Sequence, residues 1–504
     1  MSNMNTPGVY IVEKKAFPNS VVEVETAIPV FIGYTEIAIN NGEPLTGKPW
    51  KISSMNDYHV YFGGAPKPKF TVVTTVPASG VDKLQFEFGT KKVWVTPVNN
   101  HTLYHNLLLF FANGGGPCYI LSVGEYKANG VPLKIELWSD AIKKSLEKEQ
   151  EITMLVMPEA ANLTVSECYE IQNNMLKHCA TVMNRVAILD VPINRYSMGT
   201  TDYIDTFRTT VEKSSYGSAY YPWLATSVLP DNYITGEIIG FSIGESANKV
   251  LKASAFIGNI DGNKYKNLKT FVEGIEGNEA NLSAEKKQII HQAMLQNMPE
   301  YKLIVAAVKD SLNLLPPSSA MAGIYTMVDN TRGVWKAPAN VSINSVIKPA
   351  VTITDGDQEK LNAHDSGKAI NAIRSFIGSG IKVWGARTLD SNELDWRYIN
   401  VRRTMIFLES SIKNAARSYV FEPNDANTWL NMKCMIENFL RGVWKRGGLV
   451  GSSPEEAYSV HIGLGDTMTS EDILEGIMRI SVLVAVSHPA EFIEITFQQQ
   501  MQKS

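Results

Sequence analysis

The chain has 504 residues, 44% of them hydrophobic, and a chain of this length is expected to bury a sizeable core in roughly two to four domains. Its 47 basic and 51 acidic residues give a formal net charge of −4, which argues against nucleic acid as a main partner because non-specific binding to it needs a strongly basic field. The 4 cysteines show no CxxC spacing, which argues against a disulfide framework or a structural zinc site.

The start of the chain predicts synthesis and assembly in the cytoplasm. Residues 1–17 lack the basic segment followed by an apolar segment that marks a secretory leader. No stretch reaches the ~18 uninterrupted apolar residues of a membrane span, so we expect no direct insertion into a membrane.

Residues 1–28 have the pattern of an arm without a core of its own. Pro7 and Gly8 open the arm, and Pro18 interrupts the short β-prone pieces that follow. These pieces contain the β-prone residues Val9, Tyr10, Ile11, Val12, Val22 and Val24. No hairpin partner lies at turn distance, so the arm predicts strand pairing with something else.

An α/β body is predicted over 29–63, 101–230 and 311–390. The run IPVFIGYTE is continuously apolar, as buried strands are, and a helix that ends at glycines 114–116 precedes the next such strand. The alternation of strands and helices continues with the strand-like run EITMLVMPEA, a helix at 164–183 and the strand-like run RVAILDVP. This order predicts a mostly parallel sheet covered by helices.

Two segments interrupt the body. Residues 64–100 are rich in Pro, Gly and Thr with short alternating runs, which predicts a small β insertion. Residues 231–310 are more polar and lysine-rich, contain a helical segment at 283–297, and are predicted to be a surface insertion.

An α+β domain is predicted over 391–504. Its first helix has an apolar stripe from Val401 onward, its second is capped by Asn427 or Thr428 and ends at Gly447, and a capping-box-like start at Thr469 opens a third. Two strands follow, RISVLVAV and a last strand at 491–498. The residues of the last strand include Phe492, Ile493, Glu494, Ile495, Thr496 and Phe497.

This last strand lacks a following partner. It must fill an edge of its own sheet, remain an exposed edge, or pair with another molecule. Pairing with the preceding run RISVLVAV is one alternative, and pairing with a neighbouring chain is the other.

The second helix carries a charged stripe beside its apolar face. Lys433, Glu437, Arg441 and Lys445 recur at i, i+4 spacing, and Arg446 follows. This pattern is typical of a solvated face held by weak i, i+4 pairs, and it also suits docking on an acidic surface.

One pentapeptide has the form of a catalytic motif. Gly240-Phe-Ser242-Ile-Gly244 matches the G-x-S-x-G nucleophile elbow, which would make the protein a hydrolase with Ser242 as the nucleophile. The motif is short, and the required downstream acid and histidine are not in recognisable places.

His101 and His105 share a helical spacing, but the glutamate and third ligand of a zinc site are missing. We therefore expect no catalytic residue, metal or cofactor.

Several runs, read in order, resemble contractile tail sheath proteins. They occur from end to end of the chain: PGVYIVE, FFANGGG, YYPWL, PPSSAMAGIYTMVDNTRGVWKAPAN, VWGARTL, WRYINVRR, FEPND, GGLVG and PAEFI. As one long chain, the protein resembles the sheaths of phage tails, R-type bacteriocins and extracellular contractile injection systems. No family pattern is found in 64–100 and 231–310.

The resemblance implies a structural protein. Its α/β body would be subtilisin-like yet non-catalytic, since the motifs of that protease class are absent, and its C-terminal domain and arm would build a mesh around an inner tube. Partners implied are other copies of the chain, the tube, baseplate and terminal cap proteins, with an AAA+ ATPase as a candidate for disassembly. The charged stripe of the second helix would face the tube. A non-contractile tail adaptor of the same fold is the remaining alternative.

Overall fold

The structure, a computed structural model, describes residues 20–77, 83–98, 101–126, 138–193, 203–242, 252–277, 279 and 282–494, with the side chain of Ser242 excepted. The chain forms two compact units. The larger unit runs from Glu25 to Arg403. The smaller unit is the remainder of the chain, in which residues 20–24 and 404–494 are described.

The strands of the larger unit are numbered in chain order. They are β1 (Pro29–Thr35), β2 (Ile39–Asn40), β3 (Glu43–Pro44), β4 (Pro49–Ile52), β5 (Phe70–Val73), β6 (Leu84–Phe88), β7 (Lys91–Pro97), β8 (Cys118–Glu125), β9 (Met154–Val156), β10 (Val186–Asp190), β11 (Gly217–Tyr221), β12 (Leu224–Thr226), β13 (Ile239–Ser242), β14 (Leu314–Leu315), β15 (Val346–Pro349), β16 (Ile370–Phe376) and β17 (Gly380–Trp384).

The helices of the larger unit are numbered in the same way. They are α1 (Met55–Phe62), α2 (Leu103–Ala112), α3 (Asp140–Lys148), α4 (Val165–Val182), α5 (Tyr203–Thr210), α6 (Ala253–Asp261), α7 (Lys266–Glu276), α8 (Ala284–Asn297), α9 (Pro299–Leu312), α10 (Ser318–Arg332) and α11 (Asp355–Asn362). Helix α12 (Ile399–Ala416) begins in this unit and continues into the smaller one.

An eight-stranded sheet forms the centre of the larger unit, in the order β17-β16-β11-β10-β9-β1-β8-β4. Its six inner strands pair in parallel, and the edge strands β4 and β17 pair antiparallel. Every residue of β1 and β10 is buried, which explains their continuous apolar sequences. The predicted mostly parallel sheet is confirmed.

Helices α2 and α10 pack on each other and on the sheet, with α2 against β1 and α10 against β9 and β10. The first nine residues of α10 are all buried, so this helix is surrounded by protein. Helix α4 packs on β10 and has the predicted N-terminus, because Thr164 and Glu167 form a capping box.

The two inserted segments share one core. Strand β13 pairs in parallel with β5, which extends a sheet of order β13-β5-β7-β6. Helices α6 to α9 pack on it through a common cluster that includes Val72, Phe256, Val272, Met294 and Tyr301. The segments that sequence patterns separate are therefore parts of one folded body in the structure.

The smaller unit contains, after α12, helices α13 (Ala426–Lys445), α14 (Pro454–Ala457) and α15 (Ser470–Leu474) and strands β18 (Tyr458–His461) and β19 (Ser481–Val484). Phe407 of α12 and Phe439 of α13 lie with ring centroids 5.8 Å apart. Helix α13 packs on β18, and β18 pairs antiparallel with β19. The capping box of Thr469 and Asp472 opens α15 as predicted.

Two details of the predicted C-terminal elements differ. Helix α13 starts earlier than expected, because the side chain of Asp425 accepts the N–H of Thr428 and is the cap in place of Asn427 or Thr428. Residues 491–494 are not in a strand within this single chain, and residues 495–498 lie outside the described residues.

Candidate assembly surface

Helix α13 is amphipathic and presents one face to the core of the smaller unit. Its buried side chains, among them Met432, Ile436, Phe439 and Val443, recur at three- and four-residue steps. The helix ends at Lys445, and Gly447 follows with a φ of 82°, a left-handed conformation that suits glycine. The charged stripe lies beside this apolar face, as its spacing predicts.

The stripe is partly engaged within the chain. Lys433 Nζ and Glu437 Oε1 lie 3.9 Å apart, with side chains 41% and 34% exposed, so this i, i+4 pair contributes little stability. A hydrogen bond to Tyr458 raises the pKa of Arg441, and the charges of Glu437 and Glu455 add to this. Within the described part of the chain, neither Arg441 nor Lys445 forms a salt bridge.

Arg446 pairs with a residue that lies far away in sequence. Its guanidinium donates through Nη1 and Nη2 to the two carboxylate oxygens of Glu23, and the Nη1 bond is 3.1 Å long. Both side chains are about half exposed. This contact joins the end of α13 to the N-terminal segment of the same unit, which the spacing of the stripe cannot reveal.

The smaller unit exposes apolar side chains that the stripe pattern does not include. Leu430 on α13 is 60% exposed, and Phe421 in the turn between α12 and α13 is fully exposed. Phe421 also has a φ of 73°, which is unusual for a bulky residue. A patch or turn of this kind is a candidate contact surface.

Strand β19 has an open edge among the described residues. It pairs only with β18 in a two-stranded sheet, and its side chains alternate between exposed and half-buried. Leu483 is 62% exposed on this strand. An open edge with unpaired backbone groups is a template for an added strand.

The residues predicted to link subunits are exposed where the structure describes them, except Val24. Val22 is 78% exposed, and Phe492 and Ile493 are 78% and 79% exposed, with Glu494 exposed beside them. The N–H of Val24 instead donates to Ser411 Oγ of the same chain at 3.2 Å. The remaining linkage residues lie outside the described residues, namely Val9, Tyr10, Ile11, Val12, Ile495, Thr496 and Phe497.

Only the first part of the G-x-S-x-G motif lies within the described residues. Ser242 is the last residue of β13, and residues 243–251, which would complete the elbow, lie outside the described residues. Downstream, His291 is buried with its Nδ1 2.8 Å from the Tyr301 hydroxyl. Burial lowers the pKa of His291, so this imidazole is a neutral core group near pH 7.

The described ranges include the two histidines at helical spacing, His101 and His105. His105 is buried with Nε2 3.1 Å from the Tyr233 hydroxyl, and His101 is buried beside Glu159. In these ranges no three His, Cys, Asp or Glu side chains are grouped so that they could hold a metal ion. No described helix combines the length and apolar character needed to cross a membrane.

The C-terminal part of the chain matches a known domain. Residues 391–500 match the phage tail sheath C-terminal domain. The tail sheath protein of Enterobacteria phage T4 is 28% identical over 138 residues, which cover 27% of this chain and 20% of that protein. The aligned part is thus about a fifth of that relative's length.

Solved structures match over nearly the whole chain. The sheath complex of the PVC extracellular contractile injection system in its contracted state is 26% identical, covers 99% of both chains and has a TM-score of 0.60. A chain in the baseplate structure of the anti-feeding prophage is 28% identical, with 98% of this chain and 99% of that chain covered and a TM-score of 0.59. The chain thus resembles contractile tail sheath proteins over nearly its whole length, and its residues 391–500 match the C-terminal domain of phage tail sheaths.

Proposed function

We propose that the chain is a sheath subunit that polymerises as stacked hexameric rings around an inner tube. The sheath contracts from a metastable extended state and drives the tube through a target envelope. The likeness to the contracted PVC sheath along 99% of both chains carries this proposal, because a match of that extent includes the body, the insertions and the C-terminal unit.

The work of contraction is stored when the sheath assembles. Two packings of the same subunit differ in free energy, and a trigger at the baseplate allows the lower one to form. No nucleotide is needed. The body belongs to the subtilisin-like class of α/β domains and acts as a scaffold, while the shared body of the two insertions decorates it.

Neighbouring subunits are linked by strands. The arm residues Val9 to Val12 and the terminal residues Phe492 to Phe497 add to the open sheet edge of a neighbour. The exposure of Phe492 and Ile493 and the open edge of β19 support this arrangement. The proposed linkage also includes Val22 and Val24, and the N–H of Val24 donates to Ser411 Oγ of the same chain.

The proposed partners are other copies of the chain, an inner tube protein, baseplate and terminal cap proteins, and an AAA+ ATPase for disassembly. Particles form in the cytoplasm and become part of a phage virion or of an injection device. Helix α13 docks on the tube through Lys433, Glu437, Arg441, Lys445 and Arg446. Arg441 and Lys445 are the strongest candidates because both are exposed and lack a salt bridge within the described residues.

Co-expression with an inner tube protein tests the proposed function. We expect long striated cylinders in negative-stain electron micrographs, without added nucleotide or metal, and the same cylinders from Ser242→Ala. A strictly monomeric chain in the presence of its tube contradicts the proposal. Ester hydrolysis that disappears in Ser242→Ala would instead support a hydrolase, and short capped stubs would support an adaptor.

Charge reversal tests the docking of α13. We expect the triple variant Lys433→Glu, Arg441→Glu and Lys445→Glu to remain folded, with each change worth at most about 0.5 kcal/mol, and to lose tube-filled cylinders. The matched control reverses three lysines of the insertion body, with the changes Lys269→Glu, Lys286→Glu and Lys302→Glu. Tube-filled cylinders from the α13 variant would make this stripe a solvated face.

A further inference from the structure

The chain passes between its two compact units at 24–25 and again at 403–404. Thr26 and Arg403 each lie within two residues of such a passage, although they are 377 positions apart in sequence. Arg403 Nη2 donates to the carbonyl oxygen of Thr26 at 3.0 Å. The larger unit therefore holds both of its chain ends at one point.

A single carboxylate organises this point. Arg403 donates to Asp329 in bidentate fashion, with Nη1 to Oδ1 at 2.9 Å and Nη2 to Oδ2 at 2.5 Å. The hydroxyl of Thr26 donates to the same Oδ2 at 2.6 Å. The side chains of Arg403 and Asp329 are only 4% and 2% exposed.

The residues around the carboxylate make further buried contacts of their own. Asp329 lies on α10, whose N-terminus is held by Asp190, since Oδ1 of Asp190 accepts the N–H of Ser318 at 2.7 Å. The ring of Tyr325 on the same helix lies 4.7 Å from the Arg403 guanidinium. The hydroxyl of Tyr325 is in turn 2.7 Å from that of Tyr220 on β11.

A bidentate pair in a buried site has one favoured geometry. Its two parallel hydrogen bonds fix the plane of the guanidinium, and breaking them would leave a charge in a site that water does not reach. An exposed pair such as Arg446 with Glu23 lacks this constraint, because solvent can replace either partner.

We propose that Asp329, Arg403 and Thr26 form a clamp that fixes the course of the N-terminal arm where it leaves the larger unit. Its consequence for assembly rests on the proposed function: an arm with a fixed root presents its strand to a neighbour in one direction. The three residues are positioning residues and do not themselves contact the neighbour.

Hydrogen exchange of the unassembled full-length subunit tests the clamp. Two amides flank it, since Val24 N–H donates to Ser411 Oγ and Ile28 N–H donates to Thr153 Oγ1. We expect Arg403→Lys, which keeps the charge but loses the bidentate geometry, to raise the exchange rates of both amides by on the order of tenfold through local opening.

Two further variants make the result interpretable. Thr26→Val removes only one hydroxyl, so it should give a smaller increase in exchange rate at the same amides. If Arg403→Lys does not fold, Thr26→Val alone tests the clamp. Thr35→Val removes a buried hydroxyl from strand β1, away from the clamp, where Thr35 Oγ1 lies 2.6 Å from Ser122 Oγ. This control should leave both amides unchanged.

The proposal is overturned if the clamp variants that fold exchange at Val24 and Ile28 as slowly as Thr35→Val. It is supported if the order of exchange rates is Arg403→Lys, then Thr26→Val, then the control. Exchange is measured on subunits without tube, so this outcome does not depend on the proposed function. The cylinder experiment tests that function with the unaltered chain.

Discussion

The two units of this chain differ in which side chains they bury and which they expose. The larger unit buries Glu159, Arg185 and Asp190 and bonds each of them to its own backbone groups. The smaller unit buries no charged residue in its described part. It holds ten of the twenty-two exposed large apolar residues, although it has less than a third as many described residues as the larger unit.

This difference indicates that substitutions in the larger unit act mainly on folding, and that substitutions in the smaller unit act mainly on assembly. The larger unit pairs its buried charged groups Glu159, Arg185 and Asp190 with backbone groups of its own. The smaller unit leaves an open strand edge and solvent-exposed apolar side chains, which is a costly arrangement for a lone molecule and a useful one for an assembling subunit. Substitutions in the two units should therefore have different readouts.

The largest expected effect is on assembly, at the open edge of β19. Leu483→Lys places a charge on the exposed side of that strand, and lysine on an edge opposes the addition of another strand. We expect cylinders to be lost in electron micrographs, while the free energy of unfolding of the monomer changes by no more than about 0.5 kcal/mol.

The matched control for that change lies in the larger unit. Leu303 on α9 is 59% exposed, close to the 62% of Leu483, but it is not on a strand edge. Leu303→Lys should leave cylinders intact. If both variants lose cylinders, the assembly surface is not confined to the smaller unit. If neither does, the edge of β19 is not part of that surface.

In the larger unit the strongest effect should be on folding. Glu159 is fully buried and accepts N–H groups of Tyr34, Thr102 and Leu103 at 2.7 to 3.1 Å, which caps the start of α2. Glu159→Gln presents an amide nitrogen that cannot accept. We expect a loss of about 2–3 kcal/mol in urea unfolding followed by circular dichroism.

An exposed glutamate provides the comparison for this prediction. Glu273 on α7 is 51% exposed and lies 3.7 Å from Lys269. Glu273→Gln should change the unfolding free energy by less than about 0.5 kcal/mol. Equal losses in the two variants would contradict the role given to buried carboxylates in this unit.

A pH-dependent effect is expected at Asp190. Burial raises the pKa of Asp190 to about 7, whereas hydrogen bonds from Ser318 lower it less. Because the folded pKa exceeds that of the unfolded chain, the folded state binds the proton more tightly, and this contribution to stability is lost as the pH rises towards 7. The slope is about 1.4 kcal/mol per pH unit at most.

Asp190→Asn should remove this contribution. The unfolding free energy is measured at pH 5 and at pH 7. We expect it to decrease more between these two pH values for the unaltered chain than for the variant. Asp355→Asn, at a side chain that is 96% exposed, should follow the unaltered chain. Parallel pH profiles for all three proteins would show that Asp190 does not titrate in this range.

The smallest expected effect is a gain in stability at Phe421. Its φ of 73° is strained for a bulky residue, and asparagine tolerates this conformation better. Phe421→Asn should stabilise the monomer by about 0.5–1 kcal/mol. The neighbouring Val420 is 60% exposed with a φ of −66°, so Val420→Asn should give no gain in thermal unfolding.

Local patterns in the sequence were sufficient for much of the fold. The continuous apolar runs of β1 and β10, the helix α8 at Ala284–Asn297 and the capping box at Thr469 follow from side-chain periodicity and short-range hydrogen bonds. The charged stripe on α13 also follows from spacing. Such features involve residues a few positions apart, so a short window of sequence contains all the interacting groups.

Only the tertiary structure decided which distant segments meet. The pairing of β5 with β13 unites two insertions that are far apart in the chain, and Glu23 meets Arg446 across 423 positions. The clamp brings Thr26 and Asp329 together across 303 positions. Contacts of this kind depend on how the whole chain closes, and nothing in the composition of either segment identifies its partner.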